Sequence, residues 1–145
     1  GTVGITLTML VVALFLAPAV EGGYFSLFKN SNLFFHLLVP LAGIISFVFF
    51  ECTDKIRFPI VFAGMIPMAV YGTFYAINLF MHMENGMVSM KYDWYNFLNW
   101  GVKTAPFVVL IIVTMTFLIS WLLWLVNRKL YRRITNSKKK EVSNE

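Results

Sequence analysis

Few residues in this chain could carry chemistry. It has two histidines, His36 and His82. A positioned imidazole is the commonest general base or acid near neutral pH. His36 interrupts the apolar stretch "NLFFHLLVP", where an ionisable side chain is expensive and marks an inward-facing or functional position. Helical neighbours lie three or four residues apart, so Asn32, His36, Pro40 and Gly43 share one face. The same rule aligns Tyr71, Tyr75, Asn78 and His82 on the next apolar segment. Asp93, in the loop after it, is a single carboxylate with the chemistry to orient an imidazole. These residues make His36 the candidate catalytic group. Asn32, Tyr75, Asn78 and Asp93 are the candidate substrate-binding residues.

The elements that must position them follow from composition. Of the 145 residues, 59% are hydrophobic and only 13% charged, against about 25% charged in a soluble domain. Mean hydropathy is +0.72. Such a chain cannot cover itself with polar surface in water. Crossing about 30 Å of hydrocarbon takes roughly 20 apolar residues, and residues 3–20, 33–50, 58–81 and 105–126 qualify. The runs are continuously apolar rather than alternating, which predicts helices and not barrel strands. The fold class expected is an all-α transmembrane bundle, with one membrane domain over residues 1–127. Pro40 and Pro67 fall inside spans and predict kinks. Thr116, Ser120 and Asn127 form a thinner polar stripe on the last span.

Lysine and arginine placement sets the orientation. Lys55 and Arg57 lie between the second and third spans, and Arg128, Lys129, Arg132, Arg133, Lys138, Lys139 and Lys140 follow the fourth. The other two loops hold only Lys29, Lys91 and Lys103. The C-terminus is therefore expected in the cytoplasm of a multi-pass cell-membrane protein, and residues 128–145 read as a disordered basic tail. The net charge of +5 follows from this asymmetry and calls for no nucleic acid. The partners expected are membrane lipids; no metal or other cofactor is called for. Cys52 is the sole cysteine, so no intrachain disulfide forms.

In this topology His36 lies about one turn, roughly 5 Å, below the outer boundary. His82 sits at that boundary, with Asn78 and Tyr75 beneath it. The aromatic loop carrying Tyr92, Trp94, Tyr95 and Trp100 lies above, as an interfacial belt does. Acyl transfer needs a nucleophile within reach of the base. Thr2, Thr6 and Thr8 lie toward the other side, on the order of 15–20 Å from His36 along the bundle axis. Ser46 and Ser120 are excluded by the same depth argument. Two shallow histidines fit haem ligation poorly, and no carboxylate lies deep enough for a proton relay. The non-enzymatic alternative is a transporter or scaffold in which His36 hydrogen-bonds a neighbouring helix.

"HLLVP" with His36 and Pro40, then "VYGTFY", then "YDWYNFLN" resemble, in order, the androgen-induced membrane hydrolase family and its prokaryotic six-helix relatives. The ordered similarity covers residues 30–100. It implies a bundle of about six helices and hydrolysis of fatty acid esters of hydroxy fatty acids by a threonine nucleophile and a histidine. His36 matches that histidine. The matching threonine would lie upstream of Gly1, and the chain is expected to be a piece of a longer protein. The family's loop has a tyrosine–proline pair where this chain has Tyr95 and Asn96.

Overall fold

In a computed structural model, residues 1–19, 25, 28–89, 91–93, 95, 97–98 and 101–142 are described. Trp94, Asn96, Trp100, Val20 at the end of the first expected span and residues 143–145 lie outside them. The described chain is all-helical, with one isolated antiparallel bridge between Glu84 and Met87. Helix α1 (Thr2–Val11) continues through a wider π-wound segment, Val12–Leu16, and a tight 3-10 turn, Ala17–Ala19. Helix α2 is Ser31–Glu51, α3 is Ile60–Met81 and α4 is Ala105–Val142. Three helices, α2, α3 and α4 with its leading 3-10 turn, are long and apolar enough to cross a membrane. The apolar part of α1, Thr2–Leu14, falls short of that length.

The prolines act where expected, in ways that depend on their neighbours. Pro40 has no N–H to return to the His36 carbonyl, and its ring crowds that oxygen. The helix accommodates this by π winding over Phe34–Leu38, where the Val39 N–H reaches back five residues to Phe34 O. Pro67 is preceded by a break rather than a smooth kink. The chain turns at Gly64 and Met65, with the Met65 N–H on Phe62 O at 3.0 Å, and helix resumes at Ile66–Met81.

Two glycines bring backbones together. A methyl on Gly43 would stand 2.4 Å from the Ile5 side-chain tip, and one on Gly64 would stand 2.6 Å from Ser120 Oγ and 3.2 Å from Val3. These contacts seat α2 on α1 and the first turn of α3 on α4. Leu7, Val11 and Ile119 form the buried centre, flanked by Val3, Leu10, Met68, Ile112 and Met115. Large apolar side chains elsewhere face outward, Phe49, Phe50, Phe74, Phe80 and Phe107 among them. In water so many would mark an aggregate; against hydrocarbon tails they are at home, as in an integral membrane protein.

The basic tail, expected to be disordered, continues α4 to Val142. Its lysines and arginines are good helix formers, and cations in the last turn suit the negative end of the helix dipole. At 38 residues the helix is about 57 Å long, so its basic half extends past the apolar half.

Candidate functional site

Among the described residues, two polar clusters and His36 hold the groups that the sequence marks out for chemistry. The first cluster is built by the stripe expected on α3. The chain leaves α3 and reverses at Asn85 and Gly86, both with positive φ, while Glu84 and Met87 exchange backbone hydrogen bonds at 2.9 Å. Asn-Gly suits such a turn because both positions adopt the left-handed region at little strain. The loop then returns over the end of α3, and four stripe residues seize it. The Tyr71 hydroxyl donates to the Tyr95 hydroxyl at 3.2 Å, and the Tyr75 hydroxyl donates to Asp93 Oδ1. Asn78 Nδ2 donates to Tyr92 O at 3.0 Å, and the His82 ring stacks on Tyr92 with centroids 3.6 Å apart.

His82 Nδ1 lies 2.9 Å from Asn78 O. A carbonyl only accepts, so the proton sits on Nδ1. Asp93 is 3% exposed, and besides Tyr75 it accepts the Phe97 N–H at 3.0 Å and the Leu98 N–H at 2.9 Å. Its oxygens hold a tyrosine and a loop backbone rather than an imidazole. The aromatic residues of the loop pack on one another, with Tyr75, Tyr95 and Phe97 in mutual edge or stacked contact.

The structure thus brings together Tyr75, Asn78 and Asp93, while Asn32 and His36 stand on a helix that packs against α1. Asn32 is exposed. His36 is half-buried, and its Nδ1 is shielded from solvent without a hydrogen-bond partner among the described residues. Helix α2 packs on α1 through Phe34–Leu38 and Val39–Ser46, so the face holding Pro40 and Gly43 meets α1, not α3. With Gly43 on Ile5 and the helices antiparallel, His36 stands level with the start of Val12–Leu16. Thr8 is then only about 6 Å away along the axis, nearer than the depth argument allows. Direction separates them instead: Thr8 Oγ1 donates to Gly4 O at 3.1 Å and lines a cleft between α1, α3 and α4.

That cleft has a volume of about 1220 Å³. It exists because α3 meets α4 at Gly64 and diverges beyond the break. Its walls are mostly apolar, with the Tyr71–Tyr95 hydroxyl pair toward the loop end and Thr116 from α4. Thr116 has its hydroxyl tied to Ile112 O at 2.7 Å.

The second cluster lies at the basic end. Ser120, Trp124 and Asn127 recur at helical spacing on α4 and grip the first turn of α3 and the loop before it. Ser120 Oγ donates to Val61 O at 2.7 Å, and Trp124 Nε1 donates to Ile56 O at 3.1 Å. Asn127, 0% exposed, accepts the Ile56 N–H at 3.0 Å and donates to Asp54 O at 2.9 Å. The i, i+4, i+7 spacing of Ser120, Trp124 and Asn127 signals this clamp, but Trp124 reads in the sequence as one more apolar residue of the span. Cys52 is buried beside it. Burial pushes its thiol above the ordinary value; a hydrogen bond with Asn127 opposes this and the Glu51 charge adds to it. A thiol held protonated is a poor nucleophile.

Comparisons with family models, curated proteins and solved structures returned no match.

Proposed function

We propose that this is a multi-pass protein of the cell membrane, its C-terminus in the cytoplasm, that receives the acyl chain of a lipid ester in the cleft between α1, α3 and α4. The observation carrying this reading is the cleft, about 1220 Å³ with mostly apolar walls. Ligand pockets for small molecules run about 300–1,000 Å³ with a few placed polar groups. The Tyr71–Tyr95 pair supplies such a group: one hydroxyl accepts, and one proton remains for an ester carbonyl.

In its enzymatic form the reading is a lipid-ester hydrolase similar to the androgen-induced membrane hydrolases. His36 takes the proton from a threonine hydroxyl outside these 145 residues, the threonine is acylated, and water attacks the acyl-enzyme. Support comes from the shielded Nδ1 of His36, which has no hydrogen-bond partner among the described residues, since a histidine kept only for packing contacts normally has its polar atoms bonded. The non-enzymatic reading, a lipid-binding scaffold or transporter, is favoured by one observation: His36 is not among the residues lining the cleft.

The test uses the full-length protein, a fluorophosphonate probe, a lipid ester and a fluorescent fatty acid. Gly72 lines the cleft with open space where a Cβ would stand, so Gly72→Leu projects a branched side chain into the path of an acyl chain. The hydrolase reading expects His36→Ala to lose probe labelling and turnover, and Gly72→Leu to lose fatty-acid uptake. Turnover retained in His36→Ala removes His36 from the mechanism. Unchanged uptake in Gly72→Leu overturns the cleft as the lipid site.

A further inference from the structure

We propose that the basic end of the bundle holds a binding site for the phosphate headgroup of an anionic lipid. A second cleft, about 420 Å³, opens there between the α2–α3 loop and α4. Lys55 and Arg57 enter it from the loop, and Arg128 and Arg132 enter it from α4. Among the described residues no carboxylate lines it, although Glu51 and Asp54 are close in sequence. Among the described residues, none of the four cations has an ion pair. Arg128 instead lies over the Trp124 ring, 5.4 Å from its centroid.

Three physical features separate this cleft from a scattered positive-inside signal. Arg128 and Arg132 are like charges at i, i+4, an arrangement that destabilises a helix unless an anion neutralises it. The loop cations are held opposite them by hydrogen bonds to the loop backbone at residues 54 and 56, from Asn127 and Trp124. The ordering needed to assemble the site is therefore present before any ligand arrives. Finally, the cleft sits where the apolar run of α4 gives way to charge. Its Trp124 and Tyr131 walls are residue types that favour the headgroup level. Arginine forks suit phosphate oxygens, and basic pockets between spans are suited to anionic headgroups. A lipid delivers its phosphate at this height with its tails beside the exposed apolar faces, which a soluble phosphate does not.

The test uses the full-length protein in nanodiscs of mixed phosphatidylglycerol and phosphatidylcholine, with retained lipid read by native mass spectrometry. The wild type is expected to retain phosphatidylglycerol selectively. Arg57→Gln with Arg132→Gln should reduce that preference about fivefold per charge removed, and Lys139→Gln with Lys140→Gln on the distal tail should leave it within about twofold. Arg128→Lys with Arg132→Lys keeps the charge and the topology signal but loses the fork, and an intermediate loss is expected; it also serves if the glutamine variants misfold. Equal loss from the tail pair, or no wild-type preference, means diffuse electrostatics and overturns the site. Displacement of the lipid by millimolar inorganic phosphate assigns the site to a soluble phosphate and overturns the lipid as its source.

Discussion

Asn127 accepts the Ile56 N–H at 3.0 Å and returns a hydrogen bond to Asp54 O at 2.9 Å across more than 70 residues of sequence. One buried amide thereby satisfies a donor and an acceptor on a loop that has no regular structure of its own. Asn127→Ala leaves both backbone groups without partners, and a loss of about 2–3 kcal/mol is expected. Denaturant unfolding in detergent micelles measures it. Asn127→Asp keeps the acceptor for Ile56 but sets a second oxygen against Asp54 O at a fully buried position, so it should lose at least as much. A loss below about 0.5 kcal/mol for Asn127→Ala would show that the loop finds other partners.

Asp93 and Tyr75 form the corresponding tie at the other end. Asp93→Ala removes the acceptor of the Tyr75 hydroxyl and of two backbone N–H groups. It should destabilise by about 2–3 kcal/mol and expose the loop after α3 to protease. Tyr75→Phe deletes one partner and should cost about 1 kcal/mol. The double variant should fall short of additivity, with a coupling of about 1 kcal/mol. Strict additivity would mean that the pair does not act as a unit.

His36 gives the opposite prediction for stability. Its Nδ1 has no bond to lose among the described residues, so His36→Leu replaces a buried polar atom by apolar surface. The change should be neutral or stabilising by up to about 1 kcal/mol. A melting temperature lowered by many degrees would favour a structural hydrogen bond, and with it the non-enzymatic reading.

Gly64 and Gly43 should respond unequally to alanine. At Gly64 the new methyl meets Ser120 Oγ at 2.6 Å, and that oxygen is bonded to Val61 O. Moving it breaks the bond, so Gly64→Ala should cost about 1–3 kcal/mol. At Gly43 the obstacle is the flexible tip of Ile5, which can swing aside, and a smaller loss is expected. Equal losses in thermal unfolding would contradict the argument that the neighbour at Gly64 is the less able to give way.

The four apolar helices were legible in the sequence because hydropathy over about 20 residues is a local property. The stripes Tyr71–Tyr75–Asn78–His82 and Thr116–Ser120–Asn127 were legible for a related reason, since helical period places their members on one face whatever lies opposite. What lies opposite is a different kind of information. Asp93 was an available carboxylate in the sequence; the turn at Asn85 and Gly86 delivers it to Tyr75. His36 was grouped with Asn78 because both lie near the same end of the bundle. The Gly43–Ile5 contact seats its helix on α1 instead, because backbones meet where side chains are smallest. Depth along each helix is thus written in the order of residues. Direction around it, and hence which polar groups meet, is decided only when the helices choose their neighbours.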